Sequence, residues 1–260
     1  MKNLNLSFLK NLDDEDKILL NRVADWIQIA ENKYFCKYSF LLDERQIQLC
    51  EQLFASLKCN NFTFYGGYDS ATRKVLCVYP EYDIPGNDDF PIDSLLFKYK
   101  KEYNLSHRDF LGSLMSLNIA RNTIGDIVVG DGCTQVYVYN TITDLIIDNI
   151  SKIGRVGVSI QKVDSELVKA QVNFEEISGT VASLRIDCVL SLALHQSREK
   201  VKAIINSRGV VINHIINYNA DTALKDGDIF SVKGFGKFIF KSTNGVSKKN
   251  RFHITLFKYL

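Results

Sequence analysis

The residues of this chain whose types and spacing could do chemistry are cations near its carboxyl end: Arg185, Arg198, Lys200, Lys202, Arg208, Lys233 and Lys237, with the hydroxyl of Ser197 among them. Guanidinium and ammonium groups set at the ends of short elements suit the phosphates along a folded RNA backbone, which they neutralise and hydrogen-bond.

The local pattern says what must hold them. Leu184, Cys188, Val189 and Leu192 recur at helical spacing, which predicts a short helix over 184–194 with Arg185 off its apolar stripe. Ser197 then reads as an N-cap with Glu199 in the first turn. Val201, Ile204 and Ile205 form an apolar stripe that leaves Arg198 and Lys202, four apart, on another face. Gly209 is expected to end this helix as a left-handed cap.

Val210 to Asn213 reads as a strand, Asp226-Gly227 as a turn, and Ile229 to Lys233 as a strand entering Gly234-Phe235-Gly236-Lys237. Two helices followed by a small sheet are expected to gather Arg198, Lys202, Lys233 and Lys237 into one cationic tip. Phe252, Ile254 and Leu256 alternate with Arg251, His253 and Thr255, which predicts a last strand over that sheet. Lys248, Lys249 and Arg251 either extend the cationic surface or form a solvated turn.

Charge is divided the same way. Residues 1–180 carry 19 Lys+Arg against 25 Asp+Glu, and residues 181–260 carry 13 against 5, so a net of −6 precedes a net of +8. That asymmetry marks a polyanion-binding end, with simple solubilisation as the plainer alternative. The rest of the composition, 46% hydrophobic and 24% charged, is ordinary for a globular protein.

The six cysteines, at 36, 50, 59, 77, 133 and 188, form no C-x-x-C pair and have no histidine at metal spacing, so reduced thiols without a metal site or cofactor are expected. The first ten residues lack the apolar core of a signal peptide, and the longest uncharged runs reach only twelve residues. A membrane span needs about twenty, so a cytoplasmic protein is expected.

Ahead of the basic end, Asp13 to Ala30 and Glu44 to Leu57 read as helices, the second opened by a capping box of Asp43 and Gln46. With strands near 62–65 and 75–79 they make an N-terminal α/β domain over residues 1–83. From 84 to 170 the pattern is strand 92–99, helix 107–117, strand 125–129, strand 133–139, helix 142–151, strand 156–162. This βαββαβ order is the ferredoxin-like arrangement that many RNA-recognition domains share. Tyr137 and Tyr139 lie on one face of strand 133–139, but that strand lacks the signature of an RNA-recognition motif, so scaffold packing is expected of them.

His107-Arg108-Asp109 follows Ser106 at a helix start. It reads either as local capping or, with Arg121, as a contact to RNA backbone. It is not a kinase loop, because Leu114 stands where the asparagine would be.

R-I-D at 185–187, S-R-E-K-V-K from 197, R-G-V-V-I-N from 208 and L-K-D-G-D from 224, in this order, resemble the S-four RNA-binding domain, named after a small-subunit ribosomal protein. One departure is the closing R-G-x-G-R of this branch, here Lys233-Gly234-Phe235-Gly236-Lys237, which keeps charge but loses the planar fork of arginine. F-Y-G-G-Y from 64 and H-R-D-F-L-G-S-L-M-S-L-N-I-A-R-N-T-I-G-D-I from 107 extend the likeness to bacterial YlmH-like proteins along nearly the whole chain.

The resemblance implies an α+β chain of three domains: the α/β domain at 1–83, the ferredoxin-like domain at 84–170, and an S-four-type domain of two helices and a small sheet at 181–260. It also implies a non-enzymatic RNA-binding protein, monomeric, with rRNA and tRNA of the large ribosomal subunit as partners and neither membrane nor small-molecule substrate. The implied role is ribosome-associated quality control, in which peptidyl-tRNA on obstructed large subunits is stabilised, with a link to cell division. The alternatives are an rRNA-modifying enzyme of the pseudouridine-synthase kind and a protein-interaction adaptor in division. The catalytic stretch of a pseudouridine synthase, the H-I-G-H and K-M-S-K-S elements of a tyrosyl-tRNA synthetase and the glycine-rich loop of a methyltransferase are all missing from the sequence.

Overall fold

The computed structural model describes residues 12–164, 166, 168, 174–213, 215–246 and 251–259. It is a mixed α+β chain that divides into two compact units, Met1–Gln171 and Val172–Leu260.

The first unit opens with α1 (Asp14–Lys33), β1 (Lys37–Leu42), α2 (Glu44–Leu57), β2 (Phe62–Tyr65) and β3 (Lys74–Val78). Both helices start at a carboxylate cap: Asp13 accepts from the Asp16 amide at 2.8 Å and Asp43 from the Gln46 amide at 2.9 Å. Leu20, Val23, Ile27 and Ala30 of α1 and Cys50, Leu53 and Phe54 of α2 close over Leu76 and Val78 of β3. The strands pair antiparallel in the order β1-β3-β2.

There follow β4 (Ile92–Lys98), α3 (His107–Met115), β5 (Ile124–Val129), β6 (Cys133–Tyr139), α4 (Thr143–Asn149), a two-residue hairpin of β7 (Lys152–Ile153) and β8 (Val156–Gly157), and β9 (Ser159–Val163). The four longer strands form an antiparallel sheet in the order β5-β6-β4-β9. One face is covered by Phe110 and Leu114 of α3 and Ile146 of α4, packed on Leu95, Phe97, Val136 and Val138. The other face, through Leu96, Val128 and Tyr137, packs against Tyr68 and Ala71 of the loop between β2 and β3.

The second unit consists of β10 (Phe174–Val181), α5 (Ile186–Ala193), α6 (Arg198–Arg208), β11 (Val210–Ile212), β12 (Ile215–Asn217), β13 (Ile229–Val232), β14 (Gly236–Val246) and β15 (Phe252–Tyr259). All six strands form one antiparallel sheet in the order β10-β15-β14-β13-β11-β12. Val189 and Leu190 of α5 and Val201 and Ile205 of α6 pack on Phe230, Phe238, Phe240, Ile254 and Leu256, so both helices lie on one face of this sheet.

These elements correct several sequence expectations. β1, β7, β10 and β12 are additions to the expected set, the expected strand 156–162 is divided between β8 and β9, and the second unit begins before residue 181. Gly209 has φ +70 and ψ 166, which is not the left-handed cap conformation. It is required all the same, since a Cβ there would meet Ile216 Cγ2 at 2.8 Å. Ile205 is fully buried whereas Ile204 is only partly so. Ile204→Ala is accordingly expected to cost about 1 kcal/mol in urea unfolding, well under the cost of truncating a fully buried isoleucine.

All six cysteines are free thiols. Among the described residues no helix is long and apolar enough to cross a membrane, and no cluster of three or more His, Cys, Asp or Glu side chains could hold a metal ion.

Candidate nucleic-acid interface

The start of α5 is fixed from outside the helix. The Ile186 amide donates to the Thr222 carbonyl at 2.8 Å, and Arg185 bridges Ala223, so the loop 219–224 holds the first turn in place. This fixes Asp187, whose carboxylate is completely buried.

Three cations converge on it. Arg185 donates from Nε to Oδ1 at 3.2 Å and from Nη2 to Oδ2 at 3.1 Å, and Arg198 donates from Nη2 to Oδ2 at 2.7 Å. Lys202 Nζ stands 3.8 Å from Oδ2, and Arg185 is also paired with Asp221. Burial by itself would raise the Asp187 carboxyl, but the hydrogen bonds from Arg198 and Arg185 outweigh it and hold the group at about 2. Arg198, Lys202 and Arg185 remain 49%, 45% and 33% exposed, so the buried carboxylate fixes their inner ends while their outer ends meet solvent.

The local sequence produces this arrangement. Ser197 caps α6, its Oγ accepting from the Lys200 amide at 3.4 Å, and this sets Arg198 at the first position of the helix, facing the start of α5. Lys200 is exposed on the same first turn.

The remaining predicted cations are elsewhere. Arg208 ends α6, roughly 15 Å along the axis from Arg198 at 1.5 Å per residue. Its Nη1 donates to the Lys233 carbonyl at 3.5 Å, which puts it beside the Lys233-Gly234 turn. Lys237 does not join either group. Phe238 and Phe240 point into the core, so the alternation of β14 turns Lys237 to the opposite face, where its Nζ lies 5.2 Å from the centre of the Tyr259 ring. The expected single tip is therefore three places: a knot around Asp187, a pair at the far end of α6, and a lysine on the back of the sheet. Lys248 and Lys249 lie outside the described residues, and Arg251 donates to the Thr180 carbonyl at 2.8 Å.

In the first unit Arg108 is exposed on the first turn of α3, and the helix is capped locally as expected: Asp109 Oδ2 accepts from the Ser106 amide at 2.8 Å and its Oγ at 2.6 Å. Those bonds, with Arg108 adding a smaller effect, lower the Asp109 carboxyl. Arg121 is half-buried and donates Nη1 to the Ile124 carbonyl at 2.5 Å, so it props the entry of β5.

Tyr137 is 1% exposed and stacks on Tyr68 at 4.7 Å, and Tyr139 packs on Phe40 at 5.0 Å. The sheet face on which a base would have to stack is thus covered by the chain itself. The concavity beside Tyr137 is lined by Asp69, Asp164 and Glu166, which carry the wrong sign for phosphate.

Sequence reasoning missed two participants. Asp187 was visible only as part of a motif, since nothing local says that an acidic residue will be buried under three cations. Asp221 comes from a loop 34 positions away and left no signal.

Comparison with known proteins gives a consistent answer. Residues 85–167 match the family model described as "Putative RNA-binding domain in YlmH". The chain is 28% identical over 243 residues to the Bacillus subtilis (strain 168) protein named "Ribosome-associated protein quality control protein P2", covering 93% of this chain and 94% of that one. It also resembles the solved structure of "Cell division protein ylmH from Streptococcus pneumoniae", with a TM-score of 0.50 and 25% identity over 60% of this chain and 94% of that one. A domain model over about a third of the chain, a relative of nearly equal length and a solved fold all point the same way: the chain resembles the YlmH-like proteins.

Proposed function

We propose that this protein is a non-enzymatic RNA-binding factor that acts in the cytoplasm on structured rRNA and tRNA of the large ribosomal subunit, in ribosome-associated quality control. The observation that carries the reading is the half-exposed knot of Arg185, Arg198 and Lys202, held in place by a buried carboxylate at the junction of two helices. Fixed cations contact phosphates without first losing side-chain freedom, which favours a structured partner. Lys200, Arg208 and Lys233 extend this surface along α6, with Ser197 setting its geometry, and Lys237 contributes from the back of the sheet.

In this reading the chain has three domains. Residues 1–83 form an α/β support. Residues 84–170 are ferredoxin-like, which their βαββαβ chain order and β5-β6-β4-β9 strand order support. Residues 181–260 are S-four-type, with β10 as an added strand. The middle domain meets RNA through exposed Arg108 rather than through its sheet, and Arg121 serves chiefly as a prop. The names of the relatives favour ribosome quality control as the primary role and leave cell division as a linked one.

The test is co-sedimentation of the full chain with large subunits across a salt series. Arg198 is poorly suited to substitution because it is the nearest partner of Asp187, so Lys202→Ala with Arg208→Ala is the better variant. Its binding is expected to fall about tenfold at low salt, and the slope of log affinity against log salt to become shallower by about 2, one per lost phosphate contact. A slope identical to that of the parent protein would refute the assignment of this face.

A further inference from the structure

The face of the second unit's sheet that lies away from α5 and α6 carries a feature that the helix side does not explain. Phe174 of β10 is 40% exposed and packs against Phe257 and Tyr259 of β15, with ring centres 5.4 Å and 5.0 Å apart. Phe257 and Tyr259 are themselves only partly buried. Lys237 Nζ lies 5.2 Å from the centre of the Tyr259 ring, and Lys241 Nζ lies 5.8 Å from that of Phe257.

Pairing explains how five residues from three distant segments meet. Phe174 stands opposite Tyr259 in the β10–β15 ladder, and Phe238 of β14 stands opposite Lys258. Because Phe238, Phe240, Ile254 and Leu256 all point into the core, alternation sends Lys237, Phe257 and Tyr259 out on the other side. One carboxylate shares this face: Glu176, opposite Phe257 in the β10–β15 ladder, accepts from the Ser178 hydroxyl at 3.1 Å, whereas Glu175 pairs with Lys258 at 3.0 Å on the other face.

We infer that this face is a second RNA site, one that takes an unpaired strand: the exposed Phe174 ring stacks a base, Tyr259 and Phe257 back it, and Lys237 and Lys241 hold the flanking phosphates. Rings alone would suit an apolar protein surface equally well. Ammonium groups set over the rings call instead for an occupant that offers flat π-faces and negative charge together, and a single strand does this at every nucleotide. The site is separated from the Asp187 knot by the thickness of the sheet and helices, so a duplex region and an adjacent unpaired segment can be held at once. The inference rests on the RNA-binding reading only for the kind of polymer.

The test uses the full chain and two labelled oligonucleotides of about twelve nucleotides, a single-stranded oligoadenylate and a duplex, with binding read by fluorescence anisotropy. The double variant Phe174→Leu/Tyr259→Leu keeps the apolar cover of the sheet. It is expected to lose about tenfold or more in affinity for the single strand, with duplex binding and large-subunit co-sedimentation unchanged. Lys237→Gln/Lys241→Gln is expected to lower the single-strand salt slope by about 1.4, the value for two contacts.

Photo-crosslinking of the unsubstituted chain to a 4-thiouridine strand should label the peptide holding Phe257 and Tyr259, a readout that no folding defect affects. Absence of single-strand binding, equal binding by the leucine variant, or a crosslink confined to other peptides would overturn the inference. A leucine variant that keeps the oligonucleotide but leaves the ribosome would also overturn it, and would mark the face as a protein contact. Failure of the salt test on α6 alone would leave these outcomes untouched.

Discussion

Gly67→Ala is expected to destabilise the first unit by about 4 kcal/mol, a large effect for one added methyl group. Gly67 has φ +97, a conformation that side chains rarely adopt, and a Cβ built on it would lie 2.3 Å from Tyr137 Cδ1 and 2.8 Å from Cε1. The ring cannot retreat. It is 1% exposed and stacked on Tyr68, whose hydroxyl donates to Asp126 Oδ2 at 2.8 Å. Asp126 in turn accepts from the Thr72 amide at 2.7 Å, the Thr72 hydroxyl at 2.6 Å and the Arg73 amide at 3.2 Å.

The three-stranded and four-stranded sheets of this unit meet partly through that cluster, so pushing the ring aside loosens their contact. Trp26, the one tryptophan, packs on the α1–α2 core of the same unit and reports its unfolding by fluorescence. A second variant separates the causes. In a Tyr137→Ala background the same Gly67→Ala step should cost less by roughly 1 kcal/mol or more, because only the backbone strain is left. Equal costs in both backgrounds would show that the contact with Tyr137 does not matter.

Asp187→Ala is expected to cost the second unit about 3 kcal/mol at neutral pH, and its sign on RNA binding distinguishes two views of the site. If bulk charge governed binding, removing a carboxylate beneath three cations would strengthen attachment. If positioning governs it, the freed cations repel one another, spread into solvent and hold phosphates less well. The fixed geometry around Oδ1 and Oδ2 favours the second outcome, a weaker large-subunit complex despite the added positive charge.

The pH dependence follows from the same group. Its folded-state value, about 2, lies below the ordinary 3.8, so the stabilisation is complete above about pH 4 and is lost as the pH falls through 2. The difference amounts to about 2 kcal/mol. The gap in stability between the parent protein and the alanine variant should therefore shrink from pH 4 down to pH 2, as read by denaturant unfolding followed by circular dichroism. A gap that stayed constant over that range would mean that the carboxylate contributes nothing through its charge.

The sequence by itself determined the elements whose periodicity matches their burial. The bounds of α2 were legible to the residue, because Asp43 and Gln46 cap it, whereas its buried face is Leu49, Cys50, Leu53 and Phe54 and leaves Leu57 exposed. The βαββαβ succession, the Ser197 cap and the last strand were legible for the same reason: each announces itself within a dozen residues. β1 was not, since a register shift between Tyr38 and Leu41 breaks its alternation. Nor was β10, a segment with two glutamates and a glycine that becomes a strand because β15, nearly eighty residues later, pairs with all eight of its positions.

The cations followed the same division. Their number, sign and placement at helix ends could be read from the chain, because charge and capping are local. Which of them meet was decided by tertiary structure alone. The burial of Asp187 drew Arg185, Arg198 and Lys202 together, the length of α6 carried Arg208 away, and the inward turn of Phe238 sent Lys237 to the other side of the sheet. Alternation along a strand and rise along a helix convert neighbours in sequence into neighbours in space only where packing fixes the face, and that choice is made by residues far away along the chain.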